Sequence, residues 1–134
     1  MPPTQTDTVS IRTEQDVVVA RQCARRLALE AGFGIVDQTK IVTAASELAR
    51  NVVVYGHGGE MRSEIIVDGK RQGLRLAFVD EGPGIPDLKL ALTDGWTSGK
   101  GLGLGLSGAK RLMHDFEIET APGQGTRVTI TRWK

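Results

Sequence analysis

Apolar residues recur at three- and four-residue spacing after Thr13, where Val17, Ala20, Ala24, Leu27 and Ala31 form one stripe with polar residues between them. That period predicts an amphipathic helix over about 14–31, with Thr13 as its N-cap and Gly32 as its stop. A second stripe, Ile41, Ala44, Ala45, Leu48 and Val52, predicts a helix over about 37–54 that Gly56 closes. The period then drops to two. Ile65 and Val67, followed beyond the Asp68-Gly69 turn signal by Leu74, Leu76 and Phe78, alternate with polar or smaller residues as a half-buried hairpin does. Helical spacing returns at Leu102, Leu106, Ala109 and Met113, and FEIETA and TRVTITRW then alternate as two closing strands separated by PGQG. Residues 9–12 read as one further strand.

The resulting order, β-α-α-β-β-loop-α-β-β, is not the regular alternation of a doubly wound parallel sheet. It predicts an α/β two-layer sandwich: a mixed, largely antiparallel sheet with three helices on one face, the other face being polar or covered by partners. At 134 residues the chain fits one domain, 1–134, with no room for a second catalytic module. The 17 basic and 16 acidic residues balance to +1, and no basic block stands apart, which argues against nucleic acid or an anionic membrane surface as partner. No apolar stretch approaches the roughly 20 residues that span a bilayer. MPPTQTDTVS has no signal-peptide pattern, so the expected location is cytoplasmic. Cys23 lies among apolar helix positions and reads as packing.

Gly99, Gly101, Gly103, Gly105 and Gly108 break this regularity in the run SGKGLGLGLSGAKRLM. Glycine permits positive φ and lets several amide N–H groups converge on one anion, so the run predicts a phosphate site. It does not fit Walker A, because Gly95 and Gly99 enclose too few residues and Lys100 is followed by Gly101. Gly103, Gly105 and Gly108 match G-x-G-x-x-G, but the preceding DLKLALTDGWTSGKGL lacks the strand a dinucleotide site needs. The irregular stretch over 82–100 is longer than connections in compact domains usually are, as lids and binding loops tend to be.

Three other segments carry chemistry. In SELARN, Glu47 and Asn51 stand one helical turn apart on one face. In VDEGPGIPD, Asp80 ends a strand and Gly82 and Gly84 bare the backbone before Ile85. In GQGT, Gly123 to Thr126 open the last strand. Taken alone, Glu47 could as well pair with Arg50 or Lys40 on a solvated face. His57 and His114 have no neighbours at ligand spacing, which leaves them loop and helix-end roles.

ExxxN, DxGxGI, GxGLGL and GxGT, in this order, resemble the GHKL or Bergerat ATP-binding fold shared by gyrase, Hsp90 chaperones, histidine kinases and MutL. Within it, TEQDVVVARQCAR, AASELARNVVVY, DEGPGIPD and GLGLGLSGAKRLMHDFEI resemble the short stand-alone serine/threonine switch kinases of the bacterial stressosome. The resemblance implies ATP and Mg²⁺ as cofactors. It implies that Asp80 accepts a hydrogen bond from the adenine amine, that Thr126 helps hold that aspartate through a water, and that Gly82 and Gly84 pass close to the purine. Asn51 would give its amide oxygen to Mg²⁺, and Glu47 would orient or deprotonate the incoming hydroxyl. Gly99, Lys100, Gly101, Leu102, Gly103, Leu104 and Gly105 would cover the triphosphate, with Lys100 either a point charge or a solvated lid residue. Arg50 would be a surface or partner-facing cation. The implied substrates are STAS-domain scaffold and antagonist proteins, and the implied second partner is a PP2C-type phosphatase. An anti-sigma factor kinase and a non-catalytic ATP-binding switch are the alternatives within the fold. The segment over 84–99 is short for such a lid, which implies weakly held ATP.

Overall fold

In the computed structural model, which describes residues 5–84, 106–120 and 123–134, Thr13 begins α1 (Glu14–Glu30) in extended conformation. The Asp16 N–H donates to Thr13 Oγ1 at 3.3 Å, while the Asp16 carboxylate accepts the N–H groups of Thr13 and Arg12 at 3.1 and 2.9 Å. This is a capping box with aspartate in the third position. The main-chain N–H of Arg12 is the largest influence holding the Asp16 carboxyl below its ordinary pKa.

The second helix, α2 (Ile35–Val54), starts two residues before the position that the stripe predicts. Gly34 is its extended N-cap and offers no side chain to signal a start, and Ile35 and Val36 face solvent, outside the buried stripe. The buried Gln38 amide donates to the Phe33 carbonyl at 2.8 Å and locks the corner between the helices. Both helices bury small residues, Ala20, Ala24 and Ala28 from α1 and Ala44, Ala45 and Ala49 from α2. Small side chains let two backbones approach closely.

The five strands are β1 (Gln5–Ile11), β2 (Gly59–Asp68), β3 (Arg71–Asp80), β4 (Asp115–Thr120) and β5 (Thr126–Trp133), in spatial order β1-β2-β3-β5-β4. Every pairing is antiparallel, the strict form of the largely antiparallel sheet expected from sequence. Two helices between β1 and β2 reverse the chain direction, and the third described helix, α3 (Leu106–Leu112), carries it to β4, with β5 returning between β3 and β4. β1 is longer than the 9–12 segment read from sequence. Its period-two pattern is hidden by Asp7, an acid at a register position shared with Val9 and Ile11, which Arg26 of α1 meets at 2.7 Å.

The core lies between the sheet and α1–α2, with Met61, Leu74, Leu76, Phe78 and Ile130 under Leu27, Ile41 and Leu48. The opposite face of the sheet carries Glu64 across from Arg75 and Glu119 across from Arg127. Alternation of apolar and charged positions along each strand produces both faces. Among the described residues no helix is long and apolar enough to cross a membrane.

Arg132 of β5 ties distant parts together. Its guanidinium meets Asp37 Oδ1 at 2.8 Å and donates to the Leu112 carbonyl at 2.6 Å, joining the first turn of α2 to the end of α3. Its side chain is only 14% exposed. Hydrogen bonds from a charged donor in such a setting contribute about 1.5–3 kcal/mol. Arg132→Met is therefore expected to lose about 2 kcal/mol in urea denaturation. A change below about 0.5 kcal/mol would mean that solvent replaces the tether.

Candidate functional site

Asp80 is the last residue of β3, the central strand, in register with Gly59 of β2 and Thr126 of β5. It follows Leu76 and Phe78 at period two, so its side chain emerges on the core face where the apolar residues give out. The Gly82 N–H donates to its Oδ1 at 2.9 Å, the Thr126 main-chain N–H faces it, and His57 lies within electrostatic reach. Burial nevertheless dominates and raises the Asp80 carboxyl above its ordinary pKa, while those two N–H groups and His57 pull it down.

Bare backbone surrounds this carboxylate. A Cβ at Gly56 would stand 2.4 Å from Asp80 Cγ, one at Gly82 would stand 2.7 Å from the Gly56 Cα, and one at Gly125 would stand 2.2 Å from the Asp80 carbonyl oxygen. Gly125 also has φ +79, and Gly84 has the same value. The Gly123 N–H donates to the Pro83 carbonyl at 2.7 Å, which binds the β4–β5 turn to the segment after Asp80. A cleft of about 350 Å³ at these strand ends includes Asp80, Gly125 and Thr126 but opens toward the face of the sheet away from the helices, where Val79, Glu119 and Arg127 line it.

The end of α2 meets the same point. The Asn51 carbonyl accepts the N–H groups of Tyr55 and Gly56 at 2.9 and 3.0 Å, so the helix terminus is bonded to the glycine that packs on Asp80. His57 follows in a left-handed conformation, φ 61, which turns the chain into β2. Glu47, one turn before Asn51, lies 3.8 Å from Arg50, and the two side chains are 42% and 43% exposed. The Thr126 hydroxyl, expected to reach Asp80 through a water, is 2.9 Å from the Thr120 hydroxyl, and it is the main-chain N–H that faces Asp80.

The segments around Asn51, Asp80 and Thr126 thus converge, and Glu47 stands one turn away on α2. Ile85, Gly99, Lys100, Gly101, Leu102, Gly103, Leu104 and Gly105 lie outside the described residues. Downstream of them, Leu106 and Ala109 of α3 are buried in the core. Sequence reasoning took Gly56 only as a helix stop and did not single out Gly59, whose Cβ would stand 1.9 Å from the Val79 carbonyl oxygen. The signal was present, since Gly56, Gly58 and Gly59 crowd the turn that precedes β2.

Gly125 offers a direct check of the cradle. An alanine there meets both a strained φ and a main-chain oxygen, so Gly125→Ala is expected to lose about 3 kcal/mol or to shift β5 away from Asp80. Thermal unfolding with and without ATP reads both effects. A variant matching the parent in both would show that the strands are not held this closely.

The chemistry of the site suits a nucleotide. A partly buried carboxylate that takes the Gly82 and Thr126 N–H groups still has lone pairs for an amine, and glycine walls admit close approach of a ring. Among the described residues no cluster of three His, Cys, Asp or Glu side chains could hold a metal ion. A single amide oxygen such as that of Asn51 is compatible with Mg²⁺, which takes few protein ligands and completes its shell with phosphates and water.

Residues 36–134 match the family described as histidine kinase-, DNA gyrase B-, and HSP90-like ATPase. The serine/threonine-protein kinase RsbT of Bacillus subtilis is 46% identical over 93% of this chain and 94% of its own. An anti-sigma F factor of Thermoanaerobacter is 26% identical over 89% of this chain and 86% of its own. The fold of the RsbU and RsbW domains of Mycobacterium tuberculosis Rv1364c superposes with a TM-score of 0.66 at 22% identity, covering 98% of this chain and 34% of that longer one. The catalytic domain of histidine kinase ThkA superposes with a TM-score of 0.56 at 13% identity, covering 94% and 95%. Sequence match, fold and the convergence on Asp80 agree: the chain belongs to the histidine kinase-, DNA gyrase B-, and HSP90-like ATPase family.

Proposed function

We propose that this chain is an ATP-dependent protein serine/threonine kinase of a bacterial partner-switching pathway. Its substrates are STAS-domain scaffold and antagonist proteins, and when released from them it binds and activates a PP2C-type phosphatase in the cytoplasm. The observation that carries the reading is the glycine-walled Asp80 at the end of β3, packed on the glycine that follows α2, the helix that carries the half-exposed Glu47. Likeness to a named serine/threonine kinase along nearly the whole chain supports the same reading.

Each residue has a distinct part. Asp80 accepts the adenine amine, a donor that guanine lacks at that position, and Gly82 and Gly84 keep the wall free of side chains. Asn51 presents an oxygen toward the metal, and Mg²⁺, when bound, neutralises charge on the phosphates. Glu47 orients the substrate hydroxyl and takes its proton. Its exposure suits an acceptor carried on another protein. The glycine run and Lys100 are assigned to the triphosphate, and Ile85 to the pocket behind Gly84.

Labelled ATP with Mg²⁺ and candidate STAS proteins encoded nearby tests this. Phosphate on a serine or threonine of one such protein is expected, and no transfer to any cognate partner beside a working control kinase would remove the catalytic claim. The anti-sigma F factor relatives favour a second reading, a kinase that sequesters a sigma subunit. Co-purification of sigma factor rather than phosphatase would decide for it.

A further inference from the structure

The corner joining α1 to α2 carries an apolar surface that the nucleotide site does not use. Leu29, Ile35 and Val36 are 65%, 66% and 64% exposed, and they flank the buried Phe33. Single exposed apolar residues need no explanation, but three on one short corner form a patch. The corner is held in shape by main-chain bonds, Gly32 N–H to the Leu29 carbonyl and Phe33 N–H to the Ala28 carbonyl, both at 3.0 Å, and by Gln38 on Phe33. A preformed surface loses little freedom on binding.

Charge around the patch is one-sided. Arg25 stands one turn before Leu29 on α1 and Lys40 one turn after Val36 on α2, while the Lys134 ammonium packs over Gly32. Among the described residues none of these three cations has an ion pair. The acids nearby are engaged, Glu30 with Arg26 and Asp37 with Arg132.

We infer that this corner docks an amphipathic helical segment of a partner protein, with apolar anchors set on Leu29, Ile35 and Val36 and acidic residues facing Arg25, Lys40 and Lys134. An amphipathic helix presents apolar anchors at three- and four-residue spacing, and complementary charge fixes its register on the surface. A second copy fits less well. Its acidic row, Asp115, Glu117 and Glu119, lies on the edge strand β4, so such a contact would be head-to-tail and would not close. At about 1.5 Å per residue, Val36 lies about 20 Å along α2 from Asn51, so a partner can sit here with the nucleotide site open. The inference stands whether or not the chain transfers phosphate.

The test is selection of helical peptides from a randomised display library on the whole protein with Mg-ATP present. Enriched peptides are expected to be acidic and amphipathic. Their affinity is expected to fall at least tenfold in Arg25→Glu/Lys40→Glu and in Ile35→Glu/Val36→Glu, with ATP affinity unchanged and amide shift changes confined to the corner. Peptides without acidic bias, shift changes elsewhere, or no enrichment would overturn the proposal. So would concentration-dependent self-association that Ile35→Glu/Val36→Glu abolishes, because a second copy would then be the occupant.

Discussion

Glu47→Ala is expected to slow phosphoryl transfer about 10²- to 10⁴-fold while ATP affinity stays within a fewfold, the range that loss of a positioned general base produces. Glu47 is not part of the Asp80 cradle, so nucleotide binding does not need it. The only ion pair described for it is the 3.8 Å approach to Arg50, and both side chains are about half exposed. Exposed pairs contribute about 0–1 kcal/mol, so the variant keeps its fold and a lost rate cannot be charged to unfolding. Arg50→Ala separates the two roles available to this carboxylate. If Glu47 served only the surface pair, removing either partner would have the same small effect. If it acts on the incoming hydroxyl, the arginine variant retains transfer and the glutamate variant does not. Single-turnover rates with labelled ATP, beside an equilibrium titration of nucleotide, give the answer. Transfer by Glu47→Ala at more than about a third of the parent rate would end the assignment.

Much of this arrangement is legible in the chain because each candidate polar residue interrupts a clear period. Asn51 and Glu47 border the apolar stripe of α2, and Asp80 is the polar end of a strand whose alternating positions are Leu74, Leu76 and Phe78. α1 is legible for a different reason, since its stripe and its Thr13–Asp16 box agree. The start of α2 and the extent of β1 are not. Gly34 caps without a side chain, and Asp7 disguises a strand position because its partner, Arg26, sits in another element. The cradle is hidden in the same way. That Gly56 and Gly125 must be bare follows from contact with Asp80, which comes from three chain segments meeting and has no local period. Local pattern reports what a residue is next to in sequence, whereas the cradle is defined by what it touches across β3–β5 and at the end of α2.

Asp80→Asn is expected to weaken ATP binding at least about 100-fold without weakening the empty fold at neutral pH. A carboxylate offers two acceptor oxygens. Oδ1 takes the Gly82 N–H at 2.9 Å, the Thr126 main-chain N–H also faces the carboxylate, and a remaining lone pair is assigned to the adenine amine. Asparagine can keep the first contact, but its second atom is then an N–H donor facing another donor, and hydrogen bonds to charged groups are the stronger kind. Stability moves the other way. Burial raises the Asp80 carboxyl above its ordinary value of 3.8, so the fold favours the protonated form. The contribution of that preference is fully present below the unfolded value, is lost as pH rises through the raised folded value, and leaves the ionised carboxylate a burden on the empty protein at neutral pH. Asparagine removes the burden, so the variant should unfold at the parent's temperature or above it at pH 7, with the difference shrinking as the solution is acidified. ATP affinity of the parent should correspondingly begin to fall at a pH above the usual aspartate range. Unchanged affinity in Asp80→Asn would place the adenine elsewhere. Lost affinity together with a markedly less stable fold would make Asp80 a structural residue of the β3 terminus, holding Gly82 and the β5 entrance in place.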